Sequence, residues 1–300
     1  MTYTTLIQVP ELKSLMASGS PCMVFDCSFD LANPAWGEAR FLESHIPGAI
    51  HADLDKHLSA RHGSPQPDGT VMVAKDADRP ASGGRHPLPN RERFSEWLSE
   101  IGFSNDMQAV VYDRNGANYC GRLWWMLKWA GHEAVAVLDG GLQAWQEAGN
   151  PVESGEASAR FQSNFELKAA LARLVNADDV LEQLGQGSQT IIDARAPARY
   201  RGEVEPLDPV AGHIPGALNR PFTTNIGPDG RFKPARQLRE EFSGLLQGRE
   251  ASGVVHQCGS GVSALPNLIA MEIAGLGRSA LYAGSWSDWC GNPQRPVETS

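Results

Sequence analysis

The segment VVHQCGSGVSA at residues 254–264 contains the residue types of a nucleophilic site. Cys258 is followed directly by Gly-Ser-Gly, and glycines permit backbone conformations that turn successive N–H groups inward. Such converging N–H groups form a cradle for an anion, and the N-terminus of a following helix adds its dipole. A cysteine thiolate is stabilised in these surroundings. The segment predicts that Cys258 is a nucleophile and that its cradle is formed by Gly259, Ser260, Gly261, Val262 and Ser263.

A strand and a helix are needed to place Cys258 in this way. GVVHQ, just before it, is typical of a short buried strand, and ALPNLIAMEIAGL, just after it, has the length of a helix. Pro266 suits the first turn of that helix, and Gly275 suits its end. Cys258 is therefore expected at the carboxyl end of a strand, the edge at which open parallel sheets bind ligands.

The chain contains one long internal repeat. VFDCSFD at residues 24–30 matches IIDARAP at 191–197, and SHIPGAI at 44–50 matches GHIPGAL at 212–218. Apolar runs alternate with helical stretches in both copies, a pattern that predicts α/β domains with parallel sheets flanked by helices. We predict a first domain over residues 1–152, a linker over 153–172 and a second domain over 173–300.

The first copy lacks the cysteine. Counted from the aligned valines, Arg114 takes the place of Cys258, within YDRNGANYCG. Arginine cannot do thiol chemistry, so the first domain is predicted to be non-catalytic.

Composition narrows the class of protein. A net charge of −9 over 300 residues argues against a nucleic-acid or anionic-membrane partner. Five cysteines at irregular spacings suggest neither a disulfide framework nor a zinc site, so we expect free thiols and no metal. No signal peptide or spanning segment is recognisable, and we expect a cytoplasmic protein.

These residues together resemble the tandem-domain rhodanese family of sulfurtransferases, over essentially the whole chain. The resemblance lies in the two HIPGA turns, a first copy without the cysteine, and a second copy with the loop CGSGVS. The loop is similar to the Cys-Gly-Ser/Thr-Gly-Val-Thr of the mercaptopyruvate type. It lacks the two cations of the thiosulfate type, Cys-Arg-Lys-Gly-Val-Thr.

The resemblance implies a function and a set of roles. A small anionic donor, with 3-mercaptopyruvate favoured, would leave a persulfide on Cys258, and a thiol, cyanide or a thioredoxin-like protein would accept the sulfur without a cofactor. Arg199 matches the family's substrate-binding arginine, and a guanidinium fork suits a carboxylate. Ser260 matches a hydroxyl proposed as a proton relay with a histidine that matches His45. Asp30 and Glu38 are both possible acidic partners of that histidine.

Three further residues bear on the donor. Arg85 and His86, in SGGRHPLP, are expected to line the cleft between the two copies. Asp208 stands nine residues after Arg199, where the mercaptopyruvate type usually has a second arginine and the thiosulfate type an acidic residue. The loop therefore points to mercaptopyruvate and Asp208 to thiosulfate.

Two other classes of protein are alternatives to a sulfurtransferase. A cysteine phosphatase would need an arginine six residues after the cysteine, but that residue is Ala264. A non-catalytic binding module or persulfide carrier would be favoured by a deeply buried or unreactive Cys258.

Overall fold

The protein forms two compact units in a computed structural model that describes residues 2–60 and 79–300. Among these residues, one unit contains 2–60, 79–82 and 87–171, and the other contains 83–86 and 172–300. The short segment 83–86 thus belongs to the second unit, although it lies within the first unit's stretch of sequence.

The first unit is a parallel sheet with helices around it. Its strands are β1 (Leu6–Ile7), β2 (Cys22–Asp26), β3 (Ile50–His51), β4 (Gln108–Tyr112) and β5 (Val135–Leu138), in the order β1-β5-β4-β2-β3. Its helices are α1 (Val9–Ala17), α2 (Ala35–Glu43), α3 (Arg91–Glu100), α4 (Cys120–Trp129) and α5 (Gly141–Glu147). Every pairing between these strands is parallel.

The second unit repeats this plan. Its strands are β6 (Arg173–Val175), β7 (Thr190–Asp193), β8 (Leu218–Asn219), β9 (Val254–Gln257) and β10 (Ala280–Tyr282), in the equivalent order β6-β10-β9-β7-β8. Its helices are α6 (Ala177–Glu182), α7 (Pro197–Tyr200), α8 (Ala235–Leu246), α9 (Leu265–Ile273) and α10 (Ser285–Trp289), with 3₁₀ turns at Phe222–Asn225 and Ala251–Gly253. The predicted α/β class, with two parallel-sheet copies, is confirmed.

The central strands β4 and β9 are buried along their whole length. All five residues of β4 and all four of β9 are buried, including the polar Gln108, His256 and Gln257. Helix α9 contains Pro266 in its first turn and ends before Gly275, which has φ +68°. The predicted strand and helix on either side of Cys258 are confirmed.

The two HIPGA stretches are tight turns. The Ala49 N–H donates to Ile46 O at 2.9 Å, and the Ala217 N–H donates to Ile214 O at 3.0 Å. Gly48 and Gly216, at the third position of these turns, have φ of +71° and +73°, which glycine adopts without strain.

The segment predicted as a linker runs along the first unit in its later half. The N–H groups of Ser163 and Lys168 donate to Ser99 O at 2.9 Å and Ala130 O at 3.1 Å, and Phe165 is buried. Aromatic contacts of Phe165 with Phe103 and His132 fix this stretch to the unit's core.

Candidate active site

Cys258 follows the last residue of β9 and begins the loop that leads into α9. The residue is 2% exposed. Gly261 shapes the loop: its φ is +75°, and a Cβ there would lie 2.2 Å from Ala283 O, so only glycine fits. The predicted position of Cys258, at the carboxyl end of a buried strand, is confirmed.

The start of α10 holds the backbone around Cys258. The Cys258 N–H donates to Ser285 Oγ at 3.1 Å, and the Trp286 N–H donates to Cys258 O at 3.0 Å. The Ser287 N–H donates to Gly259 O, also at 3.0 Å. Ser285 is fully buried and has φ +55°, an uncommon conformation for a residue with a side chain. These bonds fix the backbone that carries the thiol.

The loop itself keeps several donors without a protein acceptor. Among the described residues, no acceptor is found for the backbone N–H groups of Gly259, Ser260, Val262 and Ser263. All of these residues except Ser263 are buried. Buried backbone N–H groups are normally paired, so a cluster of unpaired ones beside a cysteine is suited to an anion. This arrangement supports the predicted cradle.

Two guanidinium groups lie against the loop at Gly259. A Cβ at position 259 would lie 3.1 Å from Arg85 Nη2 and 3.4 Å from Arg199 Nη1. Arg85 belongs to the segment 83–86, and Arg199 belongs to α7. The structure thus brings both predicted substrate-binding arginines next to the residue that follows Cys258.

Two buried carboxylates hold these guanidinium groups from the other side. Glu205 accepts from Arg199 Nε at 3.1 Å and from Nη2 at 2.7 Å. Asp208 accepts from Arg85 Nη1 through Oδ1 and from Arg199 Nη2 through Oδ2, the latter at 3.3 Å. Burial raises the pKa of Glu205, but the hydrogen bonds from Arg199 and from backbone N–H groups outweigh it and hold that pKa below its ordinary value.

The hydroxyl of Ser260 pairs with His86, whose Nδ1 lies 2.8 Å from Ser260 Oγ. Both residues belong to the second unit, because the segment 83–86 carries His86 there. A hydroxyl bonded to an imidazole can pass a proton, since each group can act as donor or acceptor.

His86 is the imidazole partner of Ser260, which corrects the expected link between Ser260 and His45. His45 is buried, its Nδ1 lies 2.8 Å from Phe41 O, and its ring stacks on Phe41 at 4.0 Å between centroids. His213, its counterpart in the second copy, stacks on Tyr200 in the same way. Both histidines are packing elements of the HIPGA turns.

The two carboxylates considered as partners of His45 have other roles. Asp30 accepts the Ala32 N–H at 2.8 Å, and Glu38 pairs with Lys56 at 2.7 Å. Neither contact involves an imidazole.

The strand register also corrects the expected match of Arg114 with Cys258. Asp26 in β2 pairs with Tyr112, and its counterpart Asp193 in β7 pairs with Gln257. Asp113, the residue after Tyr112, is therefore the counterpart of Cys258. Counting from the valines is wrong by one residue. The valine pair of β4 lies one position later against β2 than the valine pair of β9 lies against β7.

Sequence reasoning missed the residues that support the site. The sequence patterns do not indicate Ser285 or Glu205, and they indicate Asp208 only as a departure from a family pattern. Ser285 has one weak signal, because AGS at residues 283–285 matches DGG at 139–141 in the internal repeat and places Ser285 at a glycine position. Nothing in the sequence indicated that a segment in the first half of the chain would join the second unit.

Metal binding, membrane spanning and disulfide bonding are three further possibilities for the described part of the chain. It contains no group of three or more His, Cys, Asp or Glu residues that could hold a metal ion. No helix there is both long and apolar enough to span a membrane. All five cysteines are free thiols.

Comparison with known proteins identifies the family. The model of the rhodanese-like domain matches twice, over residues 8–148 and 176–292. The chain belongs to the tandem-domain rhodanese family of sulfurtransferases. The two matches in this family correspond to the two sheets described above.

Individual rhodanese-family proteins match along the whole chain. A Pseudomonas aeruginosa protein named "Probable 3-mercaptopyruvate sulfurtransferase" is 45% identical over 100% of this chain and 99% of its own length. The thiosulfate sulfurtransferase of Cricetulus griseus is 31% identical over 99% of this chain and 95% of its own. The crystal structure of the 3-mercaptopyruvate sulfotransferase SseA from Escherichia coli superposes with a TM-score of 0.75 at 31% identity, covering 95% of this chain and all of that one.

Membership of the rhodanese family makes the chain an enzyme, a sulfurtransferase. Cys258 is nevertheless only 2% exposed, a property expected of a binding module. The relatives that match over the whole chain are named sulfurtransferases, and this favours the enzyme.

Proposed function

We propose that this protein transfers a sulfur atom from 3-mercaptopyruvate to a thiol acceptor through a persulfide on Cys258. The observation that carries the proposal is the convergence on one loop of a cysteine, unpaired backbone N–H groups, two guanidinium groups and a serine–histidine pair. The names of relatives in the family point to the same donor.

Donor binding falls to Arg85 and Arg199. The side chains are 31% and 19% exposed, so a small molecule can reach them. Each guanidinium directs one terminal nitrogen to a carboxylate and the other to the loop at Gly259. The two loop-facing nitrogens would donate to the carboxylate of mercaptopyruvate and orient its thiol towards Cys258.

The first half-reaction forms one S–S bond and breaks one C–S bond. The Cys258 thiolate attacks the sulfur of mercaptopyruvate, and the electron pair of the C–S bond moves to carbon to give the enolate of pyruvate. The enzyme becomes Cys258–S–SH. Negative charge on the outer sulfur would be stabilised by the N–H groups of Gly259, Ser260, Val262 and Ser263.

Ser260 and His86 would supply the proton that the enolate needs. Ser260 Oγ donates its proton to the enolate carbon, and His86 returns a proton to Ser260. Pyruvate leaves as its carboxylate anion, and a proton from solvent restores His86. His45 has no part in this step.

The second half-reaction regenerates the thiolate. An acceptor thiolate R–S⁻ attacks the outer sulfur, forming R–S–SH and releasing Cys258–S⁻. Cyanide would attack the same sulfur and leave as thiocyanate, and a thioredoxin-like protein could present the acceptor thiol.

Thiosulfate is the second candidate donor, favoured by the acidic Asp208 and by a relative that carries its name. The loop provides no lysine or arginine of its own against its two negative charges. Arg85 and Arg199 are the cations at Gly259, and both already face a carboxylate.

A cytoplasmic setting is part of the proposal. The free state of all five cysteines suits a reducing compartment, in which thiol acceptors are abundant. Cell fractionation with a tagged full-length chain tests this, and recovery in an oxidising compartment would contradict it.

The decisive experiment compares donors with cyanide as the acceptor. Thiocyanate formation is measured with 3-mercaptopyruvate and with thiosulfate, and we expect kcat/KM to favour mercaptopyruvate at least about tenfold. Cys258→Ser is the control and should be inactive with both. Preference for thiosulfate would replace the donor, and turnover by Cys258→Ser would refute the mechanism.

A further inference from the structure

Asp208 is the one carboxylate, among the described residues, that contacts both arginines at Gly259. Its side chain is 3% exposed. Oδ1 pairs with Arg85 Nη1 and Oδ2 with Arg199 Nη2. The Asp208 N–H donates to Glu205 Oε1 at 3.2 Å, so a short turn fixes both carboxylates.

The charges at this place cancel. Arg85 and Arg199 contribute two positive charges, and Glu205 and Asp208 contribute two negative ones. Arg195 also contacts Glu205, at 3.4 Å, but it does not alter the balance, because its own charge is matched by Asp193 at 2.6 Å. A donor thus meets N–H groups directed towards it but little net positive charge.

The two candidate donors differ in what they need. Mercaptopyruvate carries one negative charge and a neutral oxo group, and two guanidinium nitrogens can satisfy both by hydrogen bonding. Thiosulfate carries two negative charges, and a site whose own charges cancel offers it little net attraction to offset the desolvation of both. A site with balanced charges therefore discriminates against the dianion.

We propose that Asp208 is a specificity-determining residue: it holds Arg85 beside Arg199 and sets the local charge so that a singly charged 2-oxo acid is preferred over a doubly charged donor. This inference rests on the proposed function. From the sequence, an acidic residue at position 208 predicts thiosulfate as the donor, whereas the ion pairs of Asp208 favour mercaptopyruvate. The reason is that Arg85, from a distant segment, supplies the second guanidinium that position 208 lacks.

Asp208→Asn tests the inference because it removes the charge and keeps the shape. The measured quantity is the ratio of kcat/KM for mercaptopyruvate to kcat/KM for thiosulfate. We expect this ratio to fall at least about tenfold in the variant, chiefly through a gain for thiosulfate. Asp229→Asn, an exposed residue with the same charge change, is the matched control and should leave the ratio unchanged.

Equal losses with both donors would overturn the inference, since Asp208 would then only anchor Arg85. A ratio that stays constant would also overturn it.

A second measurement does not depend on turnover. Pyruvate, a monoanion, and sulfate, a dianion, are tested for protection of Cys258 from alkylation by iodoacetamide, followed by peptide mass spectrometry. We expect pyruvate to protect the natural protein at lower concentration, and Asp208→Asn to lower the protecting concentration of sulfate about tenfold relative to that of pyruvate. If Asp208→Asn leaves the relative protection by sulfate and pyruvate unchanged, the charge effect is refuted. If neither donor is turned over, only the proposed function is refuted, because the protection experiment does not need turnover.

Discussion

The loops after β4 and β9 have equal length and opposite chemistry. In the first unit the loop begins with Asp113, whose Oδ1 and Oδ2 accept four backbone N–H groups of the same loop, at 2.8–3.0 Å: those of Asn115, Ala117, Tyr119 and Cys120. In the second unit the loop begins with Cys258, and no carboxylate of the described residues accepts its backbone N–H groups. Gly116 and Gly261, at equivalent positions, have φ of +67° and +75°.

The comparison shows what this loop is built to hold. Its backbone collects N–H groups around the first residue, and the first unit fills the resulting cradle with its own carboxylate. Burial raises the pKa of Asp113 above its ordinary value, although the four backbone hydrogen bonds lower it. A protonated Asp113 would nevertheless offer a hydrogen to groups that are all donors. The carboxylate form fits the geometry. In the second unit the N–H groups of Gly259, Ser260, Val262 and Ser263 have no such acceptor among the described residues.

A second difference concerns the arginines. Arg114 bonds Asp26 at 2.7 Å in the first unit, and Arg195 bonds Asp193 at 2.6 Å in the second. Each unit thus neutralises the aspartate at the end of its second strand with an arginine from a different loop. Arg114 is occupied by this structural role.

Cys258→Asp should convert the second loop into a copy of the first. We expect sulfur transfer to fall at least about 10³-fold, because the nucleophile is lost. The melting temperature should stay the same or rise, since the new carboxylate can accept the unpaired N–H groups of the loop.

Cys258→Ser is the control for this exchange, because it removes the nucleophile without adding a carboxylate. A melting temperature for Cys258→Asp several degrees below that of Cys258→Ser would mean that the two cradles are not equivalent.

Asp113→Asn should damage the first unit. The amide keeps one acceptor oxygen, and its NH₂ group faces backbone donors where the second carboxylate oxygen was. We expect the free energy of unfolding to drop by about 3–4 kcal/mol, as when a buried charged partner is removed from several hydrogen bonds. Urea unfolding measures the change, and Asp106→Asn, on an exposed turn, is the matched control. A decrease in the free energy of unfolding below about 1 kcal/mol would show that the Asp113 carboxylate does not stabilise the loop as proposed.

The sequence predicted this comparison in part. The strand before Cys258, the helix after it and the glycine loop followed from local patterns, because apolar runs and glycine positions act over a few residues. The equivalence of Asp113 and Cys258 did not follow, since it depends on how each strand registers with its neighbour. The pairing of Ser260 with His86 also depends on a contact between residues 174 positions apart.

The positions of Arg85 and Asp208 illustrate the same limit. Each was visible as a residue type, but their shared ion pair arises only when residues 83–86 join the second unit. Local patterns fix where a chain turns, whereas charge pairing across distant segments is fixed by the completed fold.

The smallest expected effect concerns a difference between the central strands β4 and β9: one buried position holds valine in β4 and histidine in β9. His256 in β9 has Val111 as its counterpart in β4, because Ile192 pairs with the one and Phe25 with the other. Burial, aided by the charge of Arg220, lowers the pKa of His256 to about 3. Its Nε2 lies 3.1 Å from Met271 Sδ, a weak acceptor, so the neutral ring is tolerated and the charged ring is not.

His256→Val should therefore change how stability depends on pH. The unfolded chain binds a proton at His256 below about pH 6.5, but the folded chain does so only near pH 3, so stability falls as the pH is lowered between these values. The natural protein should lose about 2 kcal/mol more than the valine variant between pH 7 and pH 5. Urea unfolding at both pH values measures the difference.

His57, whose pKa burial lowers to about 4, is present in both proteins and cancels in the comparison. Equal losses in the two proteins would mean that His256 is protonated as readily in the folded chain as in the unfolded one, and that the strands under the two cradles do not differ electrostatically.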